Sequence, residues 1–162
     1  MGLLSADSPR DTAIAWGFVV VQAALIVAIA VLPGGDDWVA PGWLAGAGRG
    51  AQVVGLAFLG LGLLGLGRSL TALPTPVDHG ELRTGGVYRL VRHPIYTGIL
   101  ALGAGATVRS GSATMAVAVA ALAGWFWLKA RWEEGHLHAR YPGYADYAAR
   151  TPRFVPGWRR HA

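Results

Sequence analysis

Five side chains able to bind or move charge crowd around one proline. Tyr88, Arg89, Arg92, His93 and Tyr96 lie in the run Gly86-Val87-Tyr88-Arg89-Leu90-Val91-Arg92-His93-Pro94-Ile95-Tyr96-Thr97-Gly98. Arg92 offers a planar fork that suits a carboxylate or a phosphate. Tyr88 and Tyr96 offer aromatic faces for an adenine or a cation. Gly85 and Gly86 let backbone come close to a ligand. Pro94 suits the first turn of a helix, and no charge follows it from Ile95 to Val108. The polar block therefore abuts an apolar segment, and ionisable groups gathered where a helix enters lipid are expected to have a function.

A second polar set follows the last apolar segment: Arg131-Trp132-Glu133-Glu134-Gly135-His136, then Tyr141-Pro142-Gly143-Tyr144-Ala145-Asp146-Tyr147. Two adjacent carboxylates beside a membrane are costly unless they are solvated, neutralised by the nearby arginines or bound to a ligand. Tyr144 and Tyr147, three apart, share one helix face and could simply pack against the headgroup layer. The two sets together supply anion, cation and aromatic recognition. A ligand with a carboxylate, an ammonium, a positive sulfur and an adenine would suit them; S-adenosylmethionine has all four, although residue types alone do not choose it over other zwitterionic nucleotides.

These sets must be positioned by apolar helices. Of 162 residues, 53% are hydrophobic and only 14% charged, well under the usual share for a soluble domain. Four apolar segments are predicted: Ala13 to Leu32, Ala51 to Gly67, Ile95 to Val108 and Ala113 to Leu128. The first has twenty residues interrupted only by Gln22, long enough at about 1.5 Å per residue for one bilayer core. It is read as a retained span rather than a cleaved leader. The third is short at fourteen residues, and Arg109-Ser110-Gly111-Ser112 turns it into the fourth as a helical hairpin. The expected fold is an all-α membrane protein with about four transmembrane helices and a cytoplasmic C-terminal helical segment. It forms a single membrane domain over 1–162: a helix pair at 12–68, a cytoplasmic loop at 69–94, the hairpin at 95–128 and the C-terminal segment at 129–162.

Charge gives an orientation. If all four segments cross, twelve of the fourteen Lys and Arg residues fall on one side and only Arg49 and Arg109 on the other. Both termini are then cytoplasmic, in the inner membrane of a bacterium, with both polar sets on one face. The net charge of +5 sits around apolar segments, which fits anionic lipid better than nucleic acid. Absence of cysteine excludes disulfides and thiolate chemistry. Gly60-Leu61-Gly62-Leu63-Leu64-Gly65 matches a dinucleotide-binding pattern but lies inside a continuous apolar segment. Close helix packing therefore explains Gly55, Gly60, Gly62, Gly65 and Gly67 better, and likewise Gly103 and Gly105. His136 and His138 point to different helix faces, so no metal site is expected.

The block from Gly86 to Gly98 resembles the signature of the isoprenylcysteine carboxyl methyltransferase and phospholipid methyltransferase superfamily. The tail Glu133-Glu134, Tyr141-Pro142, Tyr144, Tyr147 and Thr151-Pro152-Arg153-Phe154-Val155-Pro156 resembles that family's C-terminal motif in order and spacing. The resemblance implies S-adenosylmethionine as cofactor, held at the cytosolic end of the hairpin beneath the C-terminal segment. It implies a cofactor pocket lined by Leu82, Tyr88, Arg92, His93, Pro94, Ile95, Tyr96 and Gly98, with Glu133 and Glu134 linked to cofactor or substrate. Arg131 matches a position linked to the substrate headgroup, so Arg131 and Glu134 are the expected catalytic pair. A polar residue that the family carries upstream falls near His79 or Gly80.

The implied partners are the bilayer and a lipophilic acceptor bearing a carboxyl, hydroxyl, amine or thiol; self-association is left open. A carboxylate acceptor needs no base, whereas an amine or phenol would need one of Glu134, His93 or His136. Two other classes compete. An NADPH-dependent sterol-type reductase would resemble R-x-P-N-Y-x-G-E, but Ile95 and Ile99 stand where Asn and Glu would be. A non-catalytic lipid-binding protein would need neither glutamate.

Overall fold

The computed structural model describes residues 9–66 and 82–157. Arg68, His79, Gly80, Arg159 and Arg160, along with the first half of the expected loop at 69–94, lie outside them. Among the described residues the chain is all α-helical, with no strand. Its elements are α1 (Pro9–Val31), α2 (Gly42–Leu66), a 3-10 turn (Gly86–Arg89), α3 (Pro94–Ser110), α4 (Ala113–Arg140) and α5 (Tyr144–Arg150). Three stretches, Arg10–Val31, Gly42–Leu66 and Ala113–Arg140, are long and apolar enough to cross a membrane. α3 starts at Pro94 and has 17 residues, or about 25 Å, short of the ~30 Å core. Large apolar side chains such as Val20, Val27, Val53, Leu64 and Val117 face outward, as they would toward lipid in a membrane protein.

Two helices are longer than their apolar parts. α2 begins nine residues before Ala51 and α4 runs twelve residues past Leu128. Arg49 and the charges after Leu128 do not stop a helix; hydropathy marks only where lipid contact ends. Pro142 lies just past the end of α4. As a result Lys129, Glu133 and Glu134 belong to the same rigid rod as the apolar segment before them.

The end of α3 is set by local chemistry. Gly111 takes a left-handed φ of 63°, and Ser112 accepts a hydrogen bond from Met115 N at 3.3 Å to cap α4. The breakers after α1 clasp this turn. Gly35 N donates to Ser110 O at 2.8 Å and Asp37 N to Gly111 O at 2.9 Å. The Asp37 carboxylate accepts from Ala113 N at 2.7 Å, at the positive end of α4.

The hairpin partner of α3 is α4, but its closest contact is α2. Gly48, Gly55 and Gly62 recur every seven residues on α2, opposite Gly98 and Gly105 on α3. A Cβ on Gly55 would come within 2.8 Å of Gly98 O, and one on Gly62 within 2.9 Å of Ile95. The glycines at 55, 62, 65, 103 and 105 thus serve close packing as expected. Gly60 does not, since nothing lies within 4 Å of its missing side chain, and Gly67 lies outside the described residues. On its other face α3 meets α4, where Tyr96 packs with Leu122, Phe126 and Ala130 beneath Leu25, Ile26 and Ile29 of α1.

Candidate functional site

The polar residues converge where α3 begins and α4 ends. His93 precedes Pro94 in a non-helical conformation (φ −123°, ψ 67°), as a residue before proline must. Its ring is thereby aimed at α4 and its backbone N–H is left for another partner. That partner is the C-terminal segment: His93 N donates to Arg153 O at 3.1 Å and Arg92 N to Pro152 O at 2.9 Å. Thr97 Oγ1 donates to Phe154 O at 2.8 Å, and Tyr147 OH to Tyr88 O at 2.6 Å. The segment after α5 is thus strapped across the start of α3.

Glu134 is the hub of the cluster. Its carboxylate accepts from Arg92 Nε, His93 Nε2 and Arg153 Nε, each at 3.0 Å, and from Arg153 Nη2 at 2.5 Å. Its side chain is only 8% exposed, so these charges meet out of water. Arg92 Nη1 donates to the carbonyls of Ala148, at 2.8 Å, and Thr151. Hydrogen bonding to Glu134 raises the Arg153 pKa above the ordinary arginine value, so Arg153 stays cationic.

Glu133 is placed differently. Tyr96 OH donates to it at 2.6 Å and His93 Nδ1 stands 3.4 Å away. His93 therefore bridges the two carboxylates, and only its doubly protonated ring can donate to both. The His93 ring stacks on Tyr96 at 5.2 Å, and Tyr96 stacks on Phe126 at 4.4 Å. Phe154 closes one side at 5.8 Å from His93. One turn deeper along α4, buried Lys129 donates to Gln22 Oε1 of α1 at 2.6 Å and sits 5.2 Å from the Tyr96 ring centre.

The structure thus brings together Arg92, His93, Tyr96, Glu133 and Glu134. It sends other expected site residues elsewhere. Gly98 faces α2, on the side of α3 away from Tyr96, whereas Ile95 lies beside Gly62 of α2 and also packs against the Tyr96 cluster. The Tyr88 ring covers Gly65, and its hydroxyl donates to Gly62 O at 3.1 Å. Burial, with the nearby Glu133 charge, pushes the Tyr88 pKa up to about 12. Pro94 is fully buried at the head of α3, and Leu82 is half-buried before the 3-10 turn. Arg131 is exposed, with its guanidinium 4.7 Å from the Trp127 ring and away from the cluster.

Tyr144 and Tyr147 pack edge to face inside the chain, at 5.9 Å. Tyr144 is 1% exposed, and its hydroxyl has no partner among the described residues. Sequence reasoning left Arg153, Phe154, Thr97 and the Gln22–Lys129 pair without roles. The signals were there: Arg153 stands between two prolines, and Gln22 is the lone polar residue of the first apolar run.

Residues 47–143 match the family model of phospholipid methyltransferase. The chain is 37% identical over 106 residues to the cobalt-zinc-cadmium resistance protein CzcN of Cupriavidus metallidurans, covering 62% of this chain and 48% of that protein. It is 30% identical over 118 residues to protein-S-isoprenylcysteine O-methyltransferase B of Arabidopsis thaliana, covering 70% and 60% of the two. It is 31% identical over 164 residues to the nickel-cobalt-cadmium resistance protein NccN of Alcaligenes xylosoxydans xylosoxydans, covering 94% and 71%. The chain spans about half the length of the first of these relatives and 60% of the second. The match takes in α3, nearly all of α2 and the whole of α4 with its two glutamates, and by it the chain belongs to the phospholipid methyltransferase family.

Proposed function

We propose that the chain is an integral membrane methyltransferase that uses S-adenosylmethionine to methylate a carboxyl, hydroxyl, amine or thiol of a small lipophilic or lipid acceptor. The observation that carries this reading is the pair Glu133-Glu134 held against Arg92, His93 and Tyr96 beneath the C-terminal strap. The donor set suits the cofactor. Glu133, with fewer donors on it than Glu134, can face a sulfonium or an ammonium, and the aromatic rings of His93, Tyr96 and Phe154 can face an adenine. The orphaned, buried Tyr144 hydroxyl marks a polar position open to one more hydrogen bond.

Glu133 and the rings of His93, Tyr96 and Phe154 would hold S-adenosylmethionine, which when bound would supply an electrophilic methyl group; a carboxylate acceptor could take it with no base, whereas a hydroxyl, amine or thiol acceptor would also have to lose its proton. The residues themselves have mainly to align donor and acceptor and exclude water. Glu134, already accepting from Arg92, His93 and Arg153, organises the site and is a poor candidate for accepting a proton from substrate. Arg131, exposed beside Trp127, would meet an acceptor headgroup at the membrane surface. With all four apolar segments crossing, the positive-inside bias supports a cytoplasmic location for this end of the molecule and for both termini, in a bacterial cell.

Calorimetry on purified protein tests the reading. Binding of S-adenosylmethionine and S-adenosylhomocysteine is expected, with weaker affinity after Tyr96→Ala or Glu133→Gln. A folded sample that gives no heat with either would end it. Labelled cofactor incubated with a membrane lipid extract, followed by mass spectrometry of the methylated product, then identifies the acceptor.

A further inference from the structure

α1 lies outside the stretch that matches the family, residues 47–143, yet it reaches the site with one polar side chain. The face of α1 that packs on α4 carries Phe18, Gln22, Leu25 and Ile26, spaced as one helix stripe. Trp125 Nε1 donates to Phe18 O at 3.2 Å, so the two helices are in close register there. Within that apolar stripe Gln22 has a defined partner, Lys129 Nζ at 2.6 Å. Lys129 is the only lysine of the chain and is 3% exposed. Gln22 takes one of its three donors. Its ammonium sits 5.2 Å from the centre of the Tyr96 ring, whose hydroxyl donates to Glu133, and Glu133 itself lies one turn along the same face of α4.

A carboxylate beside a sulfonium stabilises it before reaction, and that stabilisation vanishes as sulfur loses its charge. Binding energy of this kind holds the ground state and slows transfer. A cation fixed on the far side of the carboxylate offsets it, and does so strongly where water is excluded. Glutamine is suited to fix that cation because its carbonyl accepts a hydrogen bond without cancelling the charge.

We infer that Lys129, held by Gln22 of α1, is a positioning residue that sets the charge balance at Glu133, so that the site does not over-bind the cationic donor relative to its neutral product. The inference rests on the S-adenosylmethionine reading above. It gives the first helix a part in the chemistry, through one amide.

The experiment is calorimetric titration of the full purified chain with S-adenosylmethionine and with S-adenosylhomocysteine, comparing the ratio of the two dissociation constants among variants. Lys129→Met is expected to shift that ratio toward S-adenosylmethionine by about fivefold or more, with S-adenosylhomocysteine affinity nearly unchanged. Gln22→Glu should shift it the same way with the lysine still present, because the new carboxylate neutralises it. Lys129→Arg should keep the wild-type ratio. A role confined to packing moves none of these ratios, so an unchanged ratio in folded, binding-competent Lys129→Met or Gln22→Glu protein overturns the inference. If Lys129→Met does not fold, Gln22→Glu decides. Wild-type protein that binds neither compound overturns the methyltransferase reading itself, which is a separate result.

Discussion

α3 meets α2 with glycine and meets α4 with charge. On the α2 side Gly98 and Gly105 face Gly48 and Gly55, and backbones approach until no side chain fits. On the α4 side His93 and Tyr96 reach two adjacent carboxylates, with Arg92 and Arg153 closing the ring. The first interface is specified by what is missing, so each glycine acts through local sterics. The second is specified by mutual satisfaction, and removing one member orphans several others. A 17-residue helix is thus fixed on one side by shape and on the other by electrostatics, which leaves its polar start in a defined place.

The sharpest way to break this comparison is at the hub. Glu134→Ala leaves Arg92, Arg153 and His93 without their shared anion and should cost about 3–5 kcal/mol, read as a lower unfolding midpoint in detergent. A loss below about 1 kcal/mol would mean the charges are not coupled. Next comes the glycine seam. Gly98→Ala would push a methyl to within 2.6 Å of Gly55 O, with an expected cost of about 1–3 kcal/mol. Gly60→Ala, on α2 but facing open space, should be neutral or stabilising by up to about 1 kcal/mol. Equal losses at both positions would refute the steric account.

The smallest effect is a pH dependence. Burial raises the pKa of Tyr88, from 10.0 to about 12, and that of Tyr147 also rises. Raised folded-state values mean that their neutral hydroxyls stabilise the fold fully below pH 10, the unfolded value. That contribution is lost as pH climbs from 10 toward 12. Unfolding midpoints should be flat from neutral pH to about pH 9 and fall above pH 10, and Tyr88→Phe should lessen the fall.

Much of this was legible in the chain. Pro94 announced the start of α3 and Gly111 its end, because proline and glycine constrain backbone locally. The two chemical sets at 86–98 and 131–147 were visible as residue types before any contact was known. Less legible were helix ends beyond the apolar stretches, since hydropathy senses lipid and not helix. α4 therefore carries its glutamates as part of a span-length rod instead of a separate segment. Gln22 looked like an interruption because its partner lies 107 residues away.

By itself the sequence determined the composition of a membrane protein, the family, and which residue types meet at a helix start. Periodicity and local backbone preference suffice for these, because each acts over a few neighbouring residues. Tertiary structure alone decided how the motif residues divide. It turned Gly98 to α2, gave His93 and Tyr96 to the glutamates, left Arg131 outside and brought Arg153 in. Direction around a helix depends on what packs against each face, and partners so far apart in sequence are fixed only when the helices come together.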